Sequence, residues 1–470
     1  MKKSFVLLFA FVAAVFTSCG DDDSNQAAGP SIGVSFANPS INITDAATPV
    51  QILFQNAVPQ AGTVTVSTEL TNVVYGTDFS TSPALTNNTI VVPFNAGATS
   101  AEFTFNKLLA NIPTTAKNVK FTIVNTSFTA NLTGNTTIQV NLNDTAVSGG
   151  AEQPATGGAT APNAVFVDLS TGNDVSALRT SWELRFYGGS DFRVGTNNSI
   201  KMSAKALETT NIDAPAQADE SMFIAQGSGS LSQIDEPQGL VEGLLINVSA
   251  NDADNKVYLV NLGNGPASTA PALGSDGSAG GEHRGWKKIR VLRSGNDYKL
   301  QYADIDATTH QEVIITKNAA YNFTFFSLVN NATAQVEPQK NQWDLAFTPF
   351  VNSFSMGGPA VPYYFADFIV TNTKGGARSY QVMTSAITYE AFTLADVDQS
   401  KFTNDQRNIG SNWRGTAGGV GGTVAQFTVR TDRFYVVKDP AGNIYKVKMT
   451  GGVAQNGERG FPTFQYTLLQ

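Results

Sequence analysis

Cysteine is almost missing from this chain: Cys19 is the single one among 470 residues. That excludes a disulfide within the chain and a thiol nucleophile inside its fold. Histidine is nearly as scarce, with only His283 and His310. A serine–histidine–aspartate relay would have to use one of these two, and neither sits beside a recognisable nucleophile. The sequence contains no Gly-x-Ser-x-Gly elbow and no His-Glu-x-x-His. No spacing of carboxylates singles out a glycosidase pair. The chain therefore reads as non-enzymatic. Charge is sparse as well: 14% of residues are charged and the net charge is −8. A nucleic-acid ligand needs a basic surface and is excluded. Only one long apolar run exists, "FVLLFAFVAAVF" at residues 5–16. It is too short for a typical membrane-spanning helix.

What is there begins with the surroundings of that run. Lys2 and Lys3 precede it, and Thr17, Ser18 and Cys19 follow. This is the layout of a secretory signal peptide over residues 1–19 that ends in a bacterial lipobox, with Phe16 where leucine is commoner. Cys19 is then the acylated N-terminus of the mature chain, and several acyl chains hold a membrane far better than one. Asp21, Asp22 and Asp23 resemble the surface-export signal of lipoproteins in the Bacteroidetes group. The expectation is an outer-membrane lipoprotein, tethered by residues 20–31 and facing outward.

Beyond the tether the signal is β. Segments such as "TVTVSTEL", "AEFTFNKL", "WKKIRVL" and "YKLQYADI" alternate apolar and polar residues between Gly, Asn, Asp and Pro. That is the pattern of half-buried antiparallel strands, so the expected fold class is all-β. Residues 32–146 carry strands at the spacing of a β-sandwich. Residues 147–162, "VSGGAEQPATGGATAP", lack large apolar side chains and read as a linker. "YGTDFS" (75–80) and "IVVPFNAGATSAEFTF" (90–105) resemble the Calx-β and related Ig-like domains. Some of those bind calcium through clustered acids, but Asp78 has no acidic companions nearby. A spacer or adhesion role is expected. Asp144-Thr145-Ala146 fits a short O-glycosylation signal of the same bacterial group.

The last 308 residues contain an internal similarity. Trp182-Glu183-Leu184-Arg185-Phe186 matches Trp343-Asp344-Leu345-Ala346-Phe347. Gly295-Asn296 and Gly442-Asn443 each stand between alternating strands, which is hairpin chemistry. Two similar β units are expected, at 163–316 and 317–470. Trp182 and Trp343 are expected to anchor their cores.

The motifs "NQWDLAF" (341–347), "YYFADFIVTNTKGGA" (363–377), "DRFYVVKDPAGNIYKVKMTG" (432–451) and "GERGFPTFQYTLL" (457–469) resemble the HmuY family. These are haem-binding outer-membrane lipoproteins of Bacteroidetes. The resemblance implies an all-β haemophore that serves iron acquisition. Haem would be bound in a cleft, with its iron held by two His or Met side chains. It would then be passed to an outer-membrane receptor, TonB-dependent in type. The family places one ligand shortly before the penultimate strand. In the second unit that stretch, 412–432, has neither His nor Met. In the first unit it holds His283, on the Gly-rich loop "GSAGGEHRGW". Met222 is the partner considered first, with Met383, Met356 and His310 as alternatives and Met202 read as core. The alternative function is an adhesion or binding lipoprotein of the same fold that has lost haem ligation and holds a protein, a glycan or another ligand.

Overall fold

A computed structural model describes residues 32–43, 47–108, 117–132, 134–142, 149–224, 228–271, 280–355, 357–417, 426–455 and 457–469. Cys19, Asp21, Asp22, Asp23, Met356 and the tripeptide 144–146 lie outside these residues. The fold is all-β, as expected, and every helical element among the described residues is a three-residue 3-10 turn. No described helix is long and apolar enough to cross a membrane.

Residues 32–142 form a sandwich of two five-stranded sheets. One sheet runs in the order Phe79–Ser82, Ser100–Lys107, Ala47–Phe54, Ile32–Phe36, Ala130–Leu132. The other runs Ser40–Asn42, Thr137–Asn141, Asn118–Thr126, Gly62–Thr71, Thr89–Phe94. Alternation produces the layer between them. In Ser100–Lys107 the residues Ala101, Phe103 and Phe105 point inward while Ser100 and Glu102 face solvent. Phe36, Phe79 and Phe121 join them in one core. Burying each such ring contributes about 2 kcal/mol. Asp78 is buried at a turn, where it accepts from the Val74 N–H at 2.7 Å and pairs with Lys117 at 3.1 Å.

Residues 149–152, within the segment expected as a linker, are an edge strand. Gly149–Glu152 pairs antiparallel with Arg459–Leu468, the last strand of the chain. Main-chain hydrogen bonds hold it there, which a composition of small residues does not reveal. Beyond it, Asn173 binds the sandwich: it accepts from Asn118 Nδ2 at 2.7 Å and donates to Asn141 Oδ1 at 2.6 Å.

The sheets of the C-terminal part do not divide at residue 316. The hairpin Asn163–Asp168/Asn173–Leu178 lies in one sheet with Leu345–Phe354 and Val361–Thr371. The hairpin Phe323–Ser327/Ala332–Ala334 lies in one sheet with Leu184–Tyr187, Arg193–Thr196 and Ile246–Asn247. Each half therefore lends its first hairpin to the other. Period-2 alternation fixes which face of a strand is buried but leaves its in-plane neighbour open. Two further five-stranded sheets flank this exchange. One contains Ser203–Ala206, Tyr258–Asn261, Trp286–Ser294, Asp297–Asp304 and Gln311–Ile315. The other contains Arg378–Met383, Arg433–Lys438, Ile444–Val453, Arg459–Leu468 and Gly149–Glu152. Gly295-Asn296 closes its hairpin as a two-residue turn between Ser294 and Asp297, with Gly295 at φ 61°.

Candidate functional site

The repeated Trp-acidic motif builds the junction between the exchanged hairpins. The Glu183 N–H donates to the Phe326 carbonyl at 3.0 Å, and the Asp344 N–H to the Val167 carbonyl at 2.8 Å. Each acidic side chain then holds the turn of the hairpin it receives. Glu183 Oε2 accepts from Ser327 Oγ at 3.0 Å, and Asp344 Oδ2 from the Leu169 N–H at 2.8 Å. A buried asparagine fixes each motif from behind. Asn197 Nδ2 donates to the carbonyls of Arg179 and Trp182 at 2.7 and 3.0 Å. Asn372 Nδ2 donates to those of Lys340 and Trp343 at 2.8 and 2.7 Å.

The two tryptophans are buried, and they also wall a cavity. Trp182 stands edge-on to Phe325 at 4.8 Å, and Trp343 to Phe166 at 5.0 Å. Together with Phe323 and Phe350 they line a cavity of about 90 Å³ that is partly open to solvent. One end is polar. Arg185 lies 4.8 Å over the Phe323 ring, and its Nη2 is 2.8 Å from Glu236 Oε2 and 3.4 Å from Asp235 Oδ2. Lys374 Nζ sits 2.6 Å from Glu236 Oε1, and Gln406 Nε2 donates to Glu236 Oε2 at 2.5 Å. Burial alone would raise the Glu236 carboxyl, but Lys374 and Arg185 hold it at about 2. Burial pushes Asp235 up to about 7 against the pull of Arg185. Burial also pushes Glu337, which accepts from the Phe323 N–H at 2.9 Å, up to about 7. None of these polar residues was singled out from sequence. The available signal was Arg185, the basic residue of the Trp-acidic motif, which has Ala346 at the matching position of the second copy.

The histidine and methionine candidates among the described residues lie elsewhere and are not gathered. His283 is half-buried at the foot of the strand Trp286–Ser294, with its ring against Phe223 at 4.9 Å and Trp286 at 5.6 Å. Its Nε2 is 2.9 Å from Asn261 Oδ1, which also accepts from the Gly263 N–H. An amide oxygen can only accept, so Nε2 carries the proton and the lone pair is on Nδ1. Burial holds the imidazole below its ordinary pKa, against the pull of Glu220. Met222 is fully buried, and the ring that meets His283 belongs to its neighbour Phe223. His310 Nδ1 is 2.8 Å from Asp213. Met383 is partly exposed on an edge strand, where its sulfur accepts from Gln381 Nε2 at 3.2 Å. Met202 is wholly within the core formed with Leu184, Phe186 and Tyr298.

A haem iron needs a nitrogen, sulfur or oxygen donor from His, Met, Cys or Tyr. The aromatic cavity has none of these among its described lining residues. The surroundings of His283 offer one nitrogen, its own Nδ1. Among the described residues, no group of three or more His, Cys, Asp or Glu is arranged to hold a metal ion.

Comparison with solved structures gives three likenesses of low score. The apo-form Calx CBD1 domain is 14% identical with a TM-score of 0.20, covering 24% of this chain and 99% of that one. Apo PinO from Porphyromonas gingivitis is 9% identical with a TM-score of 0.17, covering 68% and 97%. A two-domain protein of unknown function from Bacteroides fragilis is 8% identical with a TM-score of 0.18, covering 65% and 92%. At these scores none carries an argument. No curated protein matches the chain. The family model described as HmuY protein matches residues 160–466 in one continuous stretch, and the chain belongs to the HmuY family.

Proposed function

We propose that this protein is a non-enzymatic, lipid-anchored surface lipoprotein of the HmuY type that binds haem. The observation that carries the reading is the family match, which spans the whole exchanged-hairpin region. Acylation of Cys19 and export through Asp21, Asp22 and Asp23 would place it on the outer membrane, with the N-terminal sandwich as spacer. Captured haem would pass to an outer-membrane receptor. Haem, when bound, supplies an iron centre that accepts axial donors. His283 is the residue of choice to hold it, since its imidazole is kept neutral and its Nδ1 is left free of the Asn261 hydrogen bond. Met222 would have to leave the core to serve as a partner, so His283 is proposed as the sole protein ligand among the described residues.

One observation favours a second reading. The cavity between Trp182 and Trp343 is aromatic and lacks iron donors among its described lining residues, as a binding protein for another ligand would have it. The deciding experiment is a haem titration of residues 20–470, read by visible absorption in both oxidation states. The expected result is a saturable Soret shift with the spectrum of single-imidazole ligation, lost in His283→Ala. A shift untouched by His283→Ala would move the ligand elsewhere, and a spectrum like free haem would favour the second reading.

A further inference from the structure

The aromatic cavity is lined by buried polar atoms as well as rings. Four polar atoms on its lining residues are buried without a hydrogen-bond partner: Arg185 Nε, Trp343 Nε1, Asn322 Oδ1 and Asn198 Oδ1. Each such atom costs about 1–3 kcal/mol, and native proteins hold few of them. Four such atoms on the residues of one cavity leave it with hydrogen-bonding capacity that a polar guest could use. The surrounding chemistry narrows that guest. Trp182, Phe325, Trp343 and Phe166 form two edge-to-face pairs, one from each exchanged hairpin, and offer ring faces and edges to a flat guest. Arg185 and Lys374 supply two cations at the polar end, where both approach the Phe323 ring, at 4.8 and 5.8 Å.

The polar end sets two cations, Arg185 and Lys374, against one firmly ionised carboxylate, Glu236. The ionisable groups there are Arg185 on the strand Leu184–Tyr187, Asp235 and Glu236 in the loop beyond, Glu337 after the strand Ala332–Ala334 and Lys374 after the strand Val361–Thr371. Of the three carboxyls, Glu236 is firmly ionised, whereas Asp235 and Glu337 titrate near 7. They can keep their protons when a negative guest arrives.

We propose that the cavity between the exchanged hairpins is a binding site for a small flat aromatic acid, bound without iron. Its rings would lie among the Trp and Phe side chains, and its acid group would lie toward Arg185 and Lys374. This site is separate from His283 and does not depend on haem binding.

The probe is anilinonaphthalene sulfonate, an aromatic anion that fluoresces in apolar surroundings, added to residues 20–470. The expected result is saturable one-site binding with energy transfer from tryptophan that drops in Trp343→Phe. Ala346→Phe, which fills the cavity from its own wall, should weaken binding at least tenfold. His283→Ala should leave it unchanged. Non-saturable binding, or one-site binding that ignores Ala346→Phe in a variant with wild-type circular dichroism, would overturn the proposal. Should Ala346→Phe not fold, unchanged energy transfer in Trp343→Phe overturns it instead. A failed haem titration with intact probe binding would count against the haem reading alone.

Discussion

Arg284 Nη2 lies 2.6 Å from Glu183 Oε1, with the Glu183 side chain fully buried and that of Arg284 only 14% exposed. The residue after His283 is thereby fastened to the acidic member of the tryptophan motif. Removing the cation strands a buried carboxylate, which costs about 3–5 kcal/mol. Arg284→Met should lose that much in urea denaturation, while the double variant with Glu183→Gln should recover most of it. Equal stability of Arg284→Met and the wild type would show that the pair does not hold the loop.

Asn197 and Asn372 should be among the least replaceable residues. Asn372→Ala leaves the carbonyls of Lys340 and Trp343 without their donor, and the Gly375 N–H without its acceptor. With a penalty of about 1–3 kcal/mol per stranded group, the loss should reach several kcal/mol. Thermal unfolding of Asn372→Ala and Asn197→Ala measures it, and near-wild-type midpoints would contradict the assigned roles.

The buried carboxyls make stability fall as pH rises toward neutrality. Asp235 and Glu337 have folded pKa values of about 7, above their ordinary 3.8 and 4.5. The folded state keeps protons that the unfolded chain releases. Their contribution is therefore complete below about pH 4 and disappears as pH climbs through about 7. Glu337→Gln keeps an acceptor for the Phe323 N–H and cannot ionise. It should flatten the stability profile between pH 4 and 8 and be more stable than wild type at pH 8, by on the order of 3 kcal/mol. Glu236 works oppositely and in stronger acid, between its ordinary 4.5 and about 2. A profile that is unchanged in Glu337→Gln would refute the assignment.

His283 should titrate below its ordinary 6.5 in an NMR pH series of the haem-free protein. Asn261→Asp replaces the amide oxygen beside Nε2 with a carboxylate, which favours imidazolium, so the midpoint should move upward. No movement would mean that Nε2 and residue 261 are not in contact in solution.

Much of the secondary structure was legible because it is local. The alternation of "AEFTFNKL" marks Ala101, Phe103 and Phe105 as inward, and Gly295-Asn296 forms the turn its composition calls for. The exchange of hairpins was not legible: Val165 has the same pattern whether it pairs with its own half or with Phe347. Gly149–Glu152 read as a linker because small residues bury little, yet backbone hydrogen bonds need no side chain. The tryptophans were visible as anchors, but their cavity depends on Glu236, Lys374 and Gln406, which lie on separate segments and share no motif.

The exchange also sets the order in which the molecule can be completed. Val165 waits for Phe347, about 180 residues downstream, before its sheet can close. Neither half can be a finished unit as the chain emerges, since each leaves a hairpin without its sheet. Conversely, a cut near residues 317–322 would leave two pieces clasped by strands that each has lodged in the other. The halves should then survive as a non-covalent pair and reassemble only when supplied together.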